Sequence, residues 1–240
     1  MRILITASVL FLFNFLSFSQ QISGLDVLDK AIKYHDSQNK WKTFNDTLYV
    51  TMESPKNSNR TSKIIINLPK EQFYLKTKRD SIISEYNLNK DKCLISLNGK
   101  TNLSNAVLKT HNLSCERANL YKNYYTYLYG LPMKLKDKGT IIHEKVEQKT
   151  FKGKPYLVLK ATYEASVGKD VWYFYFNPKT YAMEVYQFYK TDHNGSIKKD
   201  SGEYILLTDE EIINGIKMPK TRAWYYNKDD GYLGTDILNK

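Results

Sequence analysis

The stretch VWYFYFNPKTYAMEVYQFYK, residues 171–190, decides the fold. Its two apolar runs, Val171 to Phe176 and Met183 to Lys190, flank Asn177-Pro178-Lys179-Thr180, residues that favour a tight reversal. The spacing predicts a β-hairpin. In the first run Trp172, Phe174 and Phe176 fall on one face and Val171, Tyr173 and Tyr175 on the other. A half-buried strand alternates apolar with polar residues, so this one should be covered on both faces, by helices, by a second layer or by a ligand. The second run repeats the pattern, with Val185 and Tyr189 opposite Tyr186 and Phe188.

Outward from the hairpin the period of two continues. Strands are expected at Ile141 to Thr150 and Tyr156 to Tyr163 before it, and at Glu203 to Thr208 and Lys217 to Asn227 after it, with a turn at His193-Asn194-Gly195. Tyr232 to Leu238 adds a short strand or covers an edge. An earlier block has strands at Thr47 to Glu53, Ser62 to Leu68, Gln72 to Thr77, Ile82 to Leu88 and Lys92 to Leu97, separated by turn residues such as Asn59, Asp80 and Asn98-Gly99. Intervals this short leave no room for crossovers, so neighbouring strands run antiparallel.

Three segments have helical spacing instead. Gly24 to Asn39 places Leu25, Leu28, Ile32 and His35 on one face, with Asp26 and Asp29 early. Leu103 to Thr110 is a shorter candidate. Cys115 to Tyr129 is the longest, stopped by Gly130-Leu131-Pro132; Leu120, Tyr121, Tyr124, Tyr125 and Leu128 make its apolar face, while Tyr127 and Tyr129 lie off it. Such a helix can pack on a sheet and meet a second apolar surface as well.

Residues 1–19 read as a secretory signal peptide. Arg2 opens an otherwise uncharged apolar run to Phe18. That run is shorter than the about 20 residues of a spanning helix, is broken by Thr6, Ser8 and Asn14, and ends in small residues suited to cleavage before Gln20. An uncleaved anchor is the alternative. No cysteine follows the run, which argues against a lipid-anchored lipoprotein. Residues 20–240 then form one domain, periplasmic or secreted, with no transmembrane segment after cleavage.

Twenty tyrosines against ten phenylalanines suit a sheet with amphipathic faces. The net charge of +11 admits nucleic acid, anionic lipid or an acidic glycan as partner. Arginine occurs only at positions 2, 60, 79, 117 and 222, so the planar forks that grip phosphates and guanine edges are scarce, and nucleic acid is disfavoured. Cys93 and Cys115 are an even pair in a chain addressed to an oxidising compartment. A disulfide is the expectation and two buried thiols the alternative.

Catalysis has no anchor in the sequence. His35, His111, His143 and His193 lie far apart, outside any metal-ligand spacing, and read as surface or local structural residues. Neither a Gly-x-Ser-x-Gly elbow nor a phosphate-cradling glycine loop occurs. The acids at Asp209-Glu210-Glu211 and Asp229-Asp230 fall in turn-like segments, where solvated carboxylates are the default. No metal and no cofactor is expected.

A helix, a block of short antiparallel strands, a central helix pair, a second meander and an export signal together resemble the lipoprotein-carrier superfamily with the LolA and LolB-like fold. That resemblance implies an α+β fold, a curved, incomplete antiparallel β barrel with covering helices, whose cavity takes lipid acyl chains. A closer likeness is to a group of secreted, uncharacterised proteins of Bacteroidetes near that fold. It is carried by Asn123 to Leu135, Gly168 to Pro178, Gly215 to Lys220 and Leu233 to Asp236. The chain departs from the carriers in its length, its tyrosine-crowded helix and its cysteine pair.

The expectation that follows is an exported binding protein, not an enzyme, which holds a lipid-like, apolar or amphipathic ligand between a concave sheet and a helical plug. Its expected wall residues are Tyr121, Tyr125 and Leu128 from the helix and Trp172, Phe174, Phe188 and Trp224 from strands. Arg222, which shares a strand face with Trp224, is the candidate for an anionic head group. For each aromatic, ordinary core packing is the competing account. An envelope interaction protein that docks on a protein or glycan through aromatic surface, with no internal ligand, is the alternative. An enzyme would need acids in a pocket, and Asp170 and Asp236 are the ones to inspect.

Overall fold

The computed structural model describes residues 22–239, so the expected signal peptide and Arg2 lie outside the described residues. Three helices, α1 (Gly24–His35), α2 (Asn105–Thr110) and α3 (Cys115–Gly130), accompany a single twelve-stranded sheet. Its strands are β1 (Asn45–Ser54), β2 (Asn57–Asn67), β3 (Gln72–Arg79), β4 (Ile82–Asn89), β5 (Lys92–Leu97), β6 (Thr140–Phe151), β7 (Lys154–Tyr163), β8 (Val171–Phe176), β9 (Met183–Tyr189), β10 (Glu203–Ile213), β11 (Ile216–Tyr226) and β12 (Tyr232–Asn239). The spatial order is β5-β4-β3-β2-β1-β12-β11-β10-β9-β8-β7-β6, and every pair is antiparallel.

The sheet does not close: β5 and β6 are its two edges, and the chain between them carries α2 and α3. That connection fixes the curvature. Cys115 at the start of α3 is disulfide-bonded to Cys93 on β5, and Tyr127, twelve residues on, hydrogen-bonds Tyr163 on β7. In a flat sheet β5 and β7 would stand about 48 Å apart, whereas twelve residues of helix reach only about 18 Å. The sheet must therefore wrap around α3. The expected α+β class, an incomplete antiparallel barrel with covering helices, is what the chain forms, and Cys93 and Cys115 are bonded.

Two apolar clusters fill the inner face. The first joins β1–β5 to α3 through Phe73, Leu75, Tyr86, Tyr125 and Tyr129; the second joins α1 to β7–β10 through Val27, Leu28, Leu159, Phe174 and Tyr186. Helix α3 belongs to both, because Leu128 faces the second. Helix α1 begins at a capping box in which the side chains of Ser23 and Asp26 satisfy each other's backbone N–H groups. It ends at His35, which is buried against β9 and β11. His35 Nδ1 lies 2.8 Å from the Lys217 carbonyl, which can only accept, so Nδ1 carries the proton; Nε2 is bare and accepts from the Met183 N–H at 2.9 Å. This histidine is structural, but its bonds tie α1 to strands almost the whole chain away.

The doubly apolar strand β8 is covered on its inner face by the helices and on its outer face by its own sheet. Tyr175 packs there with Tyr156, Val158 and Val185, Phe151 from the β6–β7 hairpin closes over it at 5.1 Å, and its hydroxyl donates to Gln187. No second layer stands on the outer face among the described residues.

Several local expectations shift. Leu25 and Leu120 point outward, 53% and 63% exposed, while Tyr129 is buried. Asp209–Glu211 continue strand β10 and are not in a turn. Residues 232–239 form no edge: β12 is central, paired with β1 and β11. Edge strand β6 is protected by its charged residues and by an irregularity between Ile142 and Val146.

Candidate functional site

The site is organised by α3. Ser114 caps the helix by accepting from Arg117 N, Glu116 complements the first turn, and Gly130 ends it where any side chain would meet the Trp41 ring. Between these limits nearly every face carries an aromatic or leucine side chain. One row, Tyr121, Tyr125 and Tyr129, runs down into the first cluster with successive rings stacked at 6.2 and 6.3 Å. Tyr127 points the other way, to β7 and β8, where it packs edge-on against Trp172 at 5.6 Å.

A cleft of about 730 Å³ opens between this helix and the inner face of the sheet. Its helical wall includes Tyr121, Tyr124, Tyr125 and Leu128; its strand wall includes Trp172, Phe188, Trp224 and Leu233. The strand wall is built from rings in contact: Trp172 stacks on Phe188 at 4.9 Å, and Trp224 stacks on Tyr124 of the helix at 6.3 Å. The volume and the preponderance of apolar wall match a site for a small organic ligand, for which about 300–1,000 Å³ is usual.

Of the residues singled out from the sequence, Tyr121, Tyr125, Leu128, Trp172, Phe188 and Trp224 line this one cleft. Phe174 and Arg222 stand behind its wall. Phe174 is wholly buried in the second cluster. Arg222 is 1% exposed, its guanidinium lies 4.1 Å from the centre of the Tyr129 ring, and its Nη1 donates to the Pro219 carbonyl at 3.2 Å. Trp224 and Arg222 share a strand face as expected, but the guanidinium is held under the Tyr129 ring and does not line the cleft.

Charged groups sit at the two ends of the cleft. Arg60 from β2 is level with Asp236 across Met52 of β1, and Arg117 from α3 joins it through the Tyr121–Tyr125 row; Glu203 is instead level with Phe188 and Trp172, and Asp170 precedes β8 on that side. Arg60 Nη2 donates to the Tyr125 hydroxyl and Arg117 Nε to the Tyr121 hydroxyl, both at 3.2 Å. Burial pushes the Asp236 carboxyl above its usual range, opposed first by Arg222, its cross-strand partner, and then by Arg60. Asp170 and Glu203 are likewise raised by burial, with Lys190 opposing in both cases. Arg60 and Arg117 were not singled out from the sequence; only the rarity of arginine could have drawn attention to them.

A second cleft of about 630 Å³ lies on the opposite flank of α3 and is more polar, with Lys122, Lys134, Lys138 and Lys169 among its lining residues. Tyr127, Asp170 and Trp172 line both clefts. The Tyr127–Tyr163 hydrogen bond therefore stands in the partition between them. Burial raises the Tyr163 hydroxyl to about 12, so it stays protonated at neutral pH. Among the described residues, no group of His, Cys, Asp and Glu side chains is arranged to hold a metal ion, and no helix is long and apolar enough to cross a membrane.

The model of DUF6503, a family of unknown function, matches residues 5–239. No curated protein matches the chain. Among solved structures, a LolA superfamily protein from Nitrosomonas europaea is similar with a TM-score of 0.50 at 11% identity, over 91% of this chain and 92% of that one. A DUF1329 family protein from Desulfovibrio piger gives a TM-score of 0.49 at 9% identity, over the same shares. The first likeness shows a LolA-like fold.

Proposed function

The chain belongs to the DUF6503 family, and from that premise we propose that it is an exported binding protein whose apolar or amphiphilic, lipid-like ligand lies between α3 and the inner face of the sheet. The observation that carries the reading is the cleft of about 730 Å³ walled by Trp172, Phe188, Trp224, Tyr121 and Tyr125. These rings pack against one another along the walls and leave apolar surface turned to the cleft, and a ligand that covers that surface gains about 25 cal/mol for each Å² it removes from water. A LolA-like fold agrees with this use, since the resemblance to the lipoprotein carriers implies a cavity that takes acyl chains. Export to the periplasm or beyond rests on the sequence of residues 1–19.

Binding, not catalysis, is the proposed role. Asp170 and Asp236 do line the cleft, and a turnover abolished by changing either one would overturn that assignment. The direct test is native mass spectrometry of protein taken gently from its own envelope fraction, followed by denaturation and lipid extraction. The expected result is a stoichiometric lipid-like adduct that is lost from a folded Trp172→Ala variant. Protein that is repeatedly ligand-free and takes up no lipid would sink the proposal and favour docking on an envelope protein or glycan.

A further inference from the structure

We propose that the ligand is a single-chain amphiphile with an anionic head, and that Arg60 and Arg117 are the residues that receive the head group. This rests on the binding reading above and adds the ligand's polarity and orientation to it. Neither guanidinium takes part in an ion pair among the described residues, whose ion pairs are made by lysine. Both are instead held by neutral hydroxyls, those of Tyr125 and Tyr121, whose rings stack on each other. The two cations come from different elements, β2 and α3, and are aligned at one end of an apolar cleft by adjacent members of one tyrosine row.

Their donor capacity is not used up. A guanidinium carries five N–H donors, and the Arg60 Nε is buried without a partner. A buried donor of a charged group that lacks an acceptor is costly, and a carboxylate or phosphate oxygen in the cleft would relieve the cost with a bidentate, charge-assisted bond. The nearest acid does not cancel both cations. Asp236 lines the cleft at this end and is opposed by Arg222, its cross-strand partner, and then by Arg60, so one carboxylate stands against three guanidiniums once Arg117 is counted, and positive charge remains in surplus.

The opposite end is wrong for an anion, because Asp170 and Glu203 stand there. The charges therefore set one orientation, with the head at the arginines and the chain along Tyr124, Trp224 and Trp172. One chain is what about 730 Å³ accommodates, since that volume lies within the range of drug-sized ligands. Head-group chemistry is shared by a free fatty acid and a phosphate monoester, and the assay separates them.

The test measures binding of laurate, dodecyl phosphate and dodecanol by displacement of a neutral fluorescent apolar probe from the full chain, at low and high salt. Laurate or dodecyl phosphate should bind about tenfold or more tightly than dodecanol, in line with charge-assisted hydrogen bonds. That ratio should collapse in Arg60→Gln/Arg117→Gln and survive in Lys109→Gln/Lys228→Gln, which removes the same two charges at exposed positions away from the cleft. Because the readout is a ratio, loss of both affinities by misfolding does not mimic the result. If the double variant does not fold, wild-type protein decides the matter, since salt should weaken the anions and leave dodecanol unaffected. Equal binding of all three ligands would overturn the head-group inference and leave the apolar cleft standing. Binding of none would overturn the reading beneath it.

Discussion

Removing the Cys93–Cys115 disulfide by a Cys93→Ser/Cys115→Ser double substitution tests how α3 is held in place. The bond closes a loop with a sequence separation of 22, for which chain entropy gives about 11 cal/mol/K, or about 3.4 kcal/mol at 25 °C. Unfolding a domain of about 220 residues carries an entropy of about 460 cal/mol/K. The melting temperature should therefore fall by about 7 °C in differential scanning calorimetry. The loss should also be local, because the bond ties the first turn of α3, next to Arg117 and Tyr121, to edge strand β5. Hydrogen exchange should accelerate in residues 116–121 well before it does in β8 or β9. A shift below about 2 °C, or acceleration spread evenly over the sheet, would refute the claim that this bond anchors the helix across the open barrel.

The buried His35 gives a pH signature. Burial holds its pKa in the folded protein below the ordinary 6.5, so its contribution to stability is complete above about pH 6.5 and is lost as pH falls through the folded value. Urea midpoints measured across that window should drop for wild type and stay flatter for His35→Gln. Gly130→Ala should cost about 1–3 kcal/mol in the same assay, because its new methyl group runs into the Trp41 ring at the end of α3. Gly202→Ala should be at least as harmful, since Gly202 combines a φ of +73° with a backbone carbonyl, that of Phe188, in the place of its Cβ. A loss below about 0.5 kcal/mol at either glycine would show that its surroundings relax freely.

The strand pattern was legible because a two-residue period survives in almost every segment; Lys92–Leu97 and Val171–Phe176 keep the same bounds in sequence and structure. Order within the sheet followed from hairpin spacing everywhere except at β12. Nothing in Tyr232 to Leu238 says that this strand pairs with β1, because the partner is set by closure of the whole chain and not by local pattern. The aromatic wall of the cleft could be listed from residue type, yet type alone placed Phe174 and Arg222 beside the others. What separates them is depth, which depends on the curvature imposed by α3. Arg60 gave no local signal at all: it sits among polar residues of β2, and only the wrapping of the sheet brings it under Tyr125.

The β1–β12 seam divides the sheet into two meanders, β1–β5 and β6–β12, each assembled from hairpins between sequence neighbours. Their joining is the one pairing that demands long-range closure, from Tyr49 opposite Asn239 to Glu53 opposite Thr235. Each meander is thus held by mostly local contacts, and the seam carries the long-range ones. The cleft straddles that junction, with Met52 and Arg60 on one unit and Trp224 and Asp236 on the other. A ligand lying there would touch both meanders at once, so it would act as a clasp across the seam and stabilise the joined sheet by mass action.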